Sequence, residues 1–176
     1  MIKVNAGRLG PMGEIMNPYS YFVHGLVLQL RPKTVLEMGL GVKAYTALNI
    51  LDAFQSYKED NPHYYVVELH DGHAINRVAS IEEYQGHFTC INGNATHKKF
   101  FKDIPNNLDL ICIDANHTTA QVLQNINIGL EKSKKETIFV FHDSTFPSLK
   151  KAFSESQDRL NIFCLDRINI AIGTVR

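Results

Sequence analysis

Apolar residues recur at Tyr19, Phe22, Val23, Leu26, Val27 and Leu30 with the spacing of one helix face. This predicts a helix with Asn17 as N-cap, Pro18 at the first helical position and Pro32 beyond its end. Thereafter the pattern alternates. Short β-branched and apolar runs at Thr34–Met38, 64–69 (YYVVEL), Phe88–Asn92, Leu108–Ile113 (LDLICI) and 137–141 (TIFVF) predict strands. Helical patterns over 44–57, 73–84, 96–102, 118–132 and 147–155 separate or follow them. Two last strands, 161–165 and 169–175, are joined by a polar link too short for a parallel crossover, so they form a hairpin.

Strands alternating with helices predict an α/β chain: a three-layer, Rossmann-like doubly wound sheet, mostly parallel, with a C-terminal antiparallel hairpin strand. The unbroken apolar strands LDLICI and TIFVF suit positions covered on both faces. A length of 176 residues fits one domain. Within it, residues 1–30 form an arm, irregular at Gly7, Gly10, Pro11 and Gly13, followed by a cap helix.

Charge narrows the function. Lys plus Arg and Asp plus Glu are each 18, so the chain has none of the basic excess that phosphate binding demands. No segment has the length and apolarity of a membrane span, and residues 1–13 lack a signal-peptide core. Cys90, Cys112 and Cys164 lie in apolar runs without a CxxC pair, which predicts reduced core thiols in a cytoplasmic protein.

Candidate chemistry gathers at the carboxyl ends of the predicted strands, where open α/β sheets bind ligands. The first turn reads Glu37-Met38-Gly39-Leu40-Gly41. A carboxylate there repels the pyrophosphate of a dinucleotide but suits a cationic sulfonium, and Ala44 takes the place of the last glycine of GxGxxG. The pentapeptide alone fits a tight turn with a capping acid equally well. Glu68, at the second strand end, can accept both hydroxyls of a ribose, with Asp71 the better helix cap. Asn94 in Asn-Gly-Asn is placed to meet an adenine edge, or simply to make a turn. The fourth and fifth strands run into Ile113-Asp114-Ala115-Asn116-His117 and Phe141-His142-Asp143-Ser144. Taken singly, His117 reads as a helix cap, His142 as a core-edge ring and Asp143 as a turn residue. Together they form a carboxylate–imidazole group suited to a divalent metal or to general base chemistry. His70 and His73 are the other histidines nearest the pocket.

In this order, VLEMGLG, YYVVELHDG, LDLICIDANHTTAQVLQNI and IFVFHD resemble the class I S-adenosylmethionine (SAM) methyltransferases. Within them they resemble the branch with macrolide-sugar O-methyltransferases and cephalosporin-hydroxylase-like proteins. The resemblance covers about residues 30 to 155, and IDxxH plus HD is its most specific part. It implies that Glu37, Gly39, Gly41 and Glu68 hold SAM, with Asn94 beside the adenine. It implies Asp114 and Asp143 as metal ligands with His142 as the third, His117 as general base and Asp114 as its catalytic companion. The implied acceptor is a small-molecule or sugar hydroxyl, not nucleic acid, since no Asn/Asp-Pro-Pro-Tyr/Phe motif occurs.

The chain departs from the family at Lys43, which brings positive charge near a cationic cofactor, and at His142, where relatives carry Glu. It also lacks a substrate-capping domain, which leaves room for a neighbouring subunit of a homo-oligomer to close the site. The alternative that Lys43 raises is a degenerate SAM-binding regulatory or assembly module. A nicotinamide oxidoreductase is disfavoured by Glu37 and the missing third glycine.

Overall fold

The computed structural model describes residues 18–69, 72–115 and 117–176. The expected N-terminal arm, the Asn17 and Asp71 caps, and His70 lie outside the described residues. Seven strands form one sheet: β1 (Thr34–Met38), β2 (His63–Glu68), β3 (Phe88–Asn92), β4 (Leu108–Ile113), β5 (Ser133–His142), β6 (Leu160–Leu165) and β7 (Ile170–Val175). Their order is β3-β2-β1-β4-β5-β7-β6. The first five run parallel, and β7 is antiparallel to both β5 and β6. The hairpin folds its second strand inward, so β6 becomes the edge. Strand order reverses between β1 and β4, and the gap beyond their carboxyl ends is where such a sheet takes ligands.

The two-residue period of a strand sorts side chains to opposite faces. Val35 of β1 joins Val66, Leu110, Cys112 and Val140 under α1 (Pro18–Leu30), α2 (Tyr45–Phe54) and α3 (His73–Ala79). Leu36 and Met38 join Val67, Ile111, Phe139 and Phe141 under α4 (Thr119–Lys132) and α5 (Pro147–Ser154). Apolar burial on both faces, at about 25 cal/mol per Å², is the main stabilising term of such a three-layer fold. Local signals fix the helix starts. Thr118 caps α4 by accepting from the Gln121 amide at 3.4 Å, and Pro147 opens α5.

Three expectations are corrected. The helix predicted over 73–84 ends at Ala79, and Glu82–Tyr84 is a separate single turn. The strand predicted over 137–141 begins at Ser133, which pairs with Leu108; the next pair is Leu110 with Ile138, so residues 134–137 form an irregularity within the strand. Cys164 is exposed rather than in the core, and its strand β6 is an edge of the sheet. Cys90 is half-buried and Cys112 buried, and all three thiols are unpaired. No helix among the described residues is long and apolar enough to cross a membrane.

Candidate active site

The turn after β1 extends the ladder on both sides. The Gly39 amide donates to Val67 O at 3.0 Å, and the Asp114 amide donates to Met38 O at 2.9 Å. Gly39 has φ 93°, and a Cβ there would lie 2.5 Å from the Ala115 Cα, so only glycine lets this turn seat against the end of β4. Gly41 has φ 65°, with open space where its Cβ would be. Beyond the turn lies a cavity of about 360 Å³, bordered by Gly39, Gly41, Glu68, Asn94 and Asp114. Val67, Ala74 and Ala95 give it apolar walls, and His73 also lines it. Its volume falls in the usual range for small-molecule sites.

Glu68 is buried, and its carboxylate accepts from the Leu40 amide at 2.5 Å, tying the glycine turn to the end of β2. Asn94 lines the cavity, but its Oδ1 accepts from the Thr96 amide at 2.9 Å and the Thr96 hydroxyl at 2.8 Å. The Asn94 carbonyl is thus committed to the turn.

Glu37 departs from the role expected of it. It is fully buried and does not border the cavity. In register with Val66 and Cys112, it faces the α1–α3 layer, where it accepts from the Tyr64 hydroxyl. Its Oε1 has no hydrogen-bond partner among the described residues. Burial drives its pKa well above the ordinary carboxylate range, against the Tyr64 hydrogen bond and with added push from the Asp114 and Glu68 charges. Of the acids at these strand ends, Glu68 and Asp114 border the cavity and Glu37 does not. Lys43 does not border the cavity either. Its ammonium lies over the Tyr45 ring, 5.6 Å from the centroid.

The ends of β4 and β5 bring the predicted carboxylates and imidazoles together. His117 Nε2 is 2.8 Å from Asp143 Oδ2, and His142 Nδ1 is 2.9 Å from Asp114 Oδ1 and 3.7 Å from Asp143 Oδ2. Asp114, His117 and Asp143 each offer a ligand atom, all within 4.8 Å of one another. The trio differs from the expected set: His117 takes the place of His142, whose Nδ1 is turned to Asp114. Burial disfavours the His142 cation, but the hydrogen bond and charge of Asp114, with the charge of Asp143, outweigh it and raise its pKa. His117 does not cap α4, since Thr118 does. Two carboxylates and one imidazole suit Mn²⁺ or Zn²⁺ better than Mg²⁺, which prefers oxygen alone.

Sequence reasoning missed three residues at this rim. Tyr19, buried in α1, stacks on His142 with ring centroids 4.4 Å apart. Phe146, partly exposed, lies 5.0 Å from the His117 ring. Asn169, read as the start of the last strand, instead precedes β7 and donates from Nδ2 to Asp143 Oδ1 at 2.6 Å. The one available signal was residue type, because Asn readily adopts the left-handed backbone seen there, φ 58°.

Solved structures share this architecture. A Klebsiella pneumoniae protein provisionally assigned as an O-methyltransferase is 15% identical, covering 97% of this chain and 86% of its own, with a TM-score of 0.72. The O-methyltransferase TomG from Streptomyces achromogenes, involved in tomaymycin synthesis and solved with SAM, is 14% identical over 90% of this chain and 79% of its own, TM-score 0.69. An O-methyltransferase from Bacillus cereus, solved with S-adenosylhomocysteine (SAH), is 14% identical over 89% of this chain and 80% of its own, TM-score 0.69. At such identities the likeness shows the fold. No curated protein matches the chain in sequence. A family model described as a methyltransferase domain matches residues 36–144, from the glycine turn through the end of β5. That span is more than half of the chain and holds both the cavity and the carboxylate–imidazole rim. The chain belongs to this methyltransferase family, within the class I SAM-dependent methyltransferases its motifs resemble.

Proposed function

We propose that this methyltransferase moves the methyl group of SAM to a hydroxyl oxygen of a small-molecule acceptor, with His117 as general base. One observation carries the reading: a cavity bordered by Glu68 reaches Asp114, and Asp114 lies beside the His117–Asp143 pair. In this reading Gly41 lets backbone approach the cofactor and Glu68 accepts the ribose hydroxyls, which their position at the border of the cavity supports. The sulfonium would lie toward Asp114. The acceptor would enter beside His117, against the exposed edge of Phe146.

Transfer is an in-line displacement. The acceptor oxygen attacks the methyl carbon, the carbon–sulfur bond breaks, and its electron pair leaves with SAH. The site must align the three atoms and exclude water. With a proton on Nε2, His117 donates to Asp143, and Nδ1 keeps a lone pair for the acceptor proton. Asp143 then stabilises the imidazolium that forms. With Nε2 deprotonated, Asp114, His117 and Asp143 would instead hold a divalent cation, which would supply Lewis-acid polarisation of a hydroxyl while His117 served as ligand and not as base. The unpaired thiols support a cytoplasmic setting.

Titration calorimetry with SAM and SAH tests the cofactor. Tritiated SAM incubated with a panel of sugars, alcohols and phenols, with and without EDTA, tests the acceptor and the metal. Micromolar binding and label in an oxygen-linked methyl are expected. Absence of binding at millimolar SAM would defeat the proposal.

A further inference from the structure

We infer that Asn169 is a positioning residue, the clamp that aims Asp143 at His117. The inference rests on the proposed pairing of Asp143 with the base. Asn169 sits in the connection between β6 and β7, just after the single turn Asp166–Ile168. From there it grips three consecutive residues of the loop after β5. Its Nδ2 donates to Asp143 Oδ1 at 2.6 Å. Its Oδ1 accepts from the Thr145 amide at 2.9 Å and from the Thr145 hydroxyl at 2.6 Å. Its main-chain carbonyl accepts from the Ser144 amide at 3.3 Å.

The Thr145 amide can only donate, so it must face the Asn169 oxygen, and the amide nitrogen is left facing Asp143. The orientation of the side chain follows from the network. With Oδ1 of Asp143 held by Asn169, its Oδ2 is the oxygen that meets His117 at 2.8 Å.

Backbone geometry points the same way. Asp143 and Asn169 both hold left-handed conformations, φ 54° and 58°. Asp and Asn are the residues with a Cβ that take this backbone most readily, and here it turns the two side chains toward each other across the loop and the hairpin. That gives the antiparallel pair a second use: besides extending the sheet, it brings a donor to the carboxylate behind the base.

Two variants separate aiming from mere support. Asn169→Asp keeps shape and both bonds from Thr145, but replaces the donor to Asp143 with a carboxylate oxygen. Asn169→Gly keeps the left-handed backbone and removes the side chain. Crystal structures of wild type and variants report the His117–Asp143 separation. Tritiated SAM with the acceptor that supports wild-type turnover reports kcat and the KM for SAM. In Asn169→Asp the contact should open beyond hydrogen-bond range, kcat should fall about ten- to a hundredfold, and the KM for SAM should stay within about twofold. A merely supporting residue predicts the opposite: Asn169→Asp like wild type, with loss only in Asn169→Gly. Retention of the 2.8 Å contact or of wild-type kcat in Asn169→Asp overturns the inference. Should Asn169→Asp not fold, Asn169→Gly is read by crystallography: an Asp143 side chain rotated off His117 with the loop backbone in place supports aiming, and a retained 2.8 Å contact overturns it. An inactive wild type would sink the proposed function, while the crystallographic separation would still decide the clamp.

Discussion

Strand β4 carries an aspartate near each end, and the two are used in opposite ways. Asp109, at the start, is saturated. One carboxylate oxygen accepts from the Lys33 amide at 2.8 Å, the Thr34 amide at 2.9 Å and the Thr34 hydroxyl at 3.1 Å, while the other meets Lys134. Two amides and a hydroxyl at the start of β1, with the Lys134 ammonium, are its donors, and they lock the start of β1 to β4. Asp114, just past the other end, meets the His142 ring, borders a cavity and shares a 4.8 Å cluster with His117 and Asp143. A carboxylate used for structure is satisfied by fixed donors. One placed for chemistry is coupled to groups that can change protonation and faces space for a ligand. The sheet thus has a stabilising edge and a reactive edge, and substitutions should sort by edge.

The largest effect is expected on the reactive edge. His117→Ala should cut turnover by about two to four orders of magnitude, roughly 3–5 kcal/mol of barrier. SAM affinity and the urea midpoint should hardly move, since the ring is well exposed and lies outside the cavity lining. Radiolabel transfer, calorimetry and urea titration read the three quantities. Unchanged turnover would remove His117 from the mechanism.

Next comes the glycine turn, where the reactive edge depends on backbone rather than on charge. In Gly39→Ala the new methyl would meet the Ala115 Cα at 2.5 Å in a backbone with φ 93°. Neither conflict can relax locally, so a loss of about 3 kcal/mol or more is expected. Gly41→Ala meets only the positive φ, because space is open around it, and about 1 kcal/mol should suffice. Equal midpoints for the two variants would show that the packing of Gly39 against Ala115 does not constrain the turn.

Much of this division was legible beforehand. Apolar runs place the strands, most clearly β1, β4 and the end of β5, which are covered on both faces and leave an unbroken hydrophobic signature. The same runs end in the acids and histidines, so the reactive edge was visible as a set of strand ends. The direction of each side chain was less visible. Glu37 shares the parity of Val35 and so points into the α1–α3 layer, an inference the two-residue period permits but the motif obscures. The exchange of His142 for His117 in the cluster depends on rotamers. Asn169 lies 26 residues beyond Asp143, and nothing in a single sequence pairs them. Hydrophobic periodicity also cannot see SKKE joining β5, because that stretch is polar.

The stabilising edge gives a smaller and pH-dependent effect. Burial of Asp109 opposes its ionisation, but Lys134 and the amide and hydroxyl of Thr34 outweigh this and hold its pKa below the ordinary value. A depressed carboxylate contributes stability that is fully present above its unfolded pKa, near 3.9, and is lost as pH falls through the folded value. Asp109→Asn should therefore cost about 1–2 kcal/mol at pH 7, and its deficit relative to wild type should shrink below about pH 4. SAM affinity should be unaffected. Urea titrations at pH 3.5 and 7 check this, and a pH-independent deficit would mean that packing, not charge, is what Asp109 supplies.

The smallest effect belongs to neither edge and bounds the comparison from within. Asn125 is fully buried in α4, and neither Oδ1 nor Nδ2 has a hydrogen-bond partner among the described residues. On the same helix face, Val122 and Ile128 pack into the apolar layer under α4 and α5. An amide buried without partners costs on the order of 1–3 kcal/mol relative to an apolar group of similar shape. Leucine removes that cost but is slightly larger and branched, and overpacking takes back part of the gain. Asn125→Leu should therefore stabilise by about 0.5–1 kcal/mol, raising Tm by roughly 1–4 °C for a chain of this length, with SAM binding and turnover unchanged. Scanning calorimetry resolves such a shift. Destabilisation by more than about 1 kcal/mol would show that an ordered water satisfies the amide, and Asn125 would then join Asp109 among the polar groups that hold the fold.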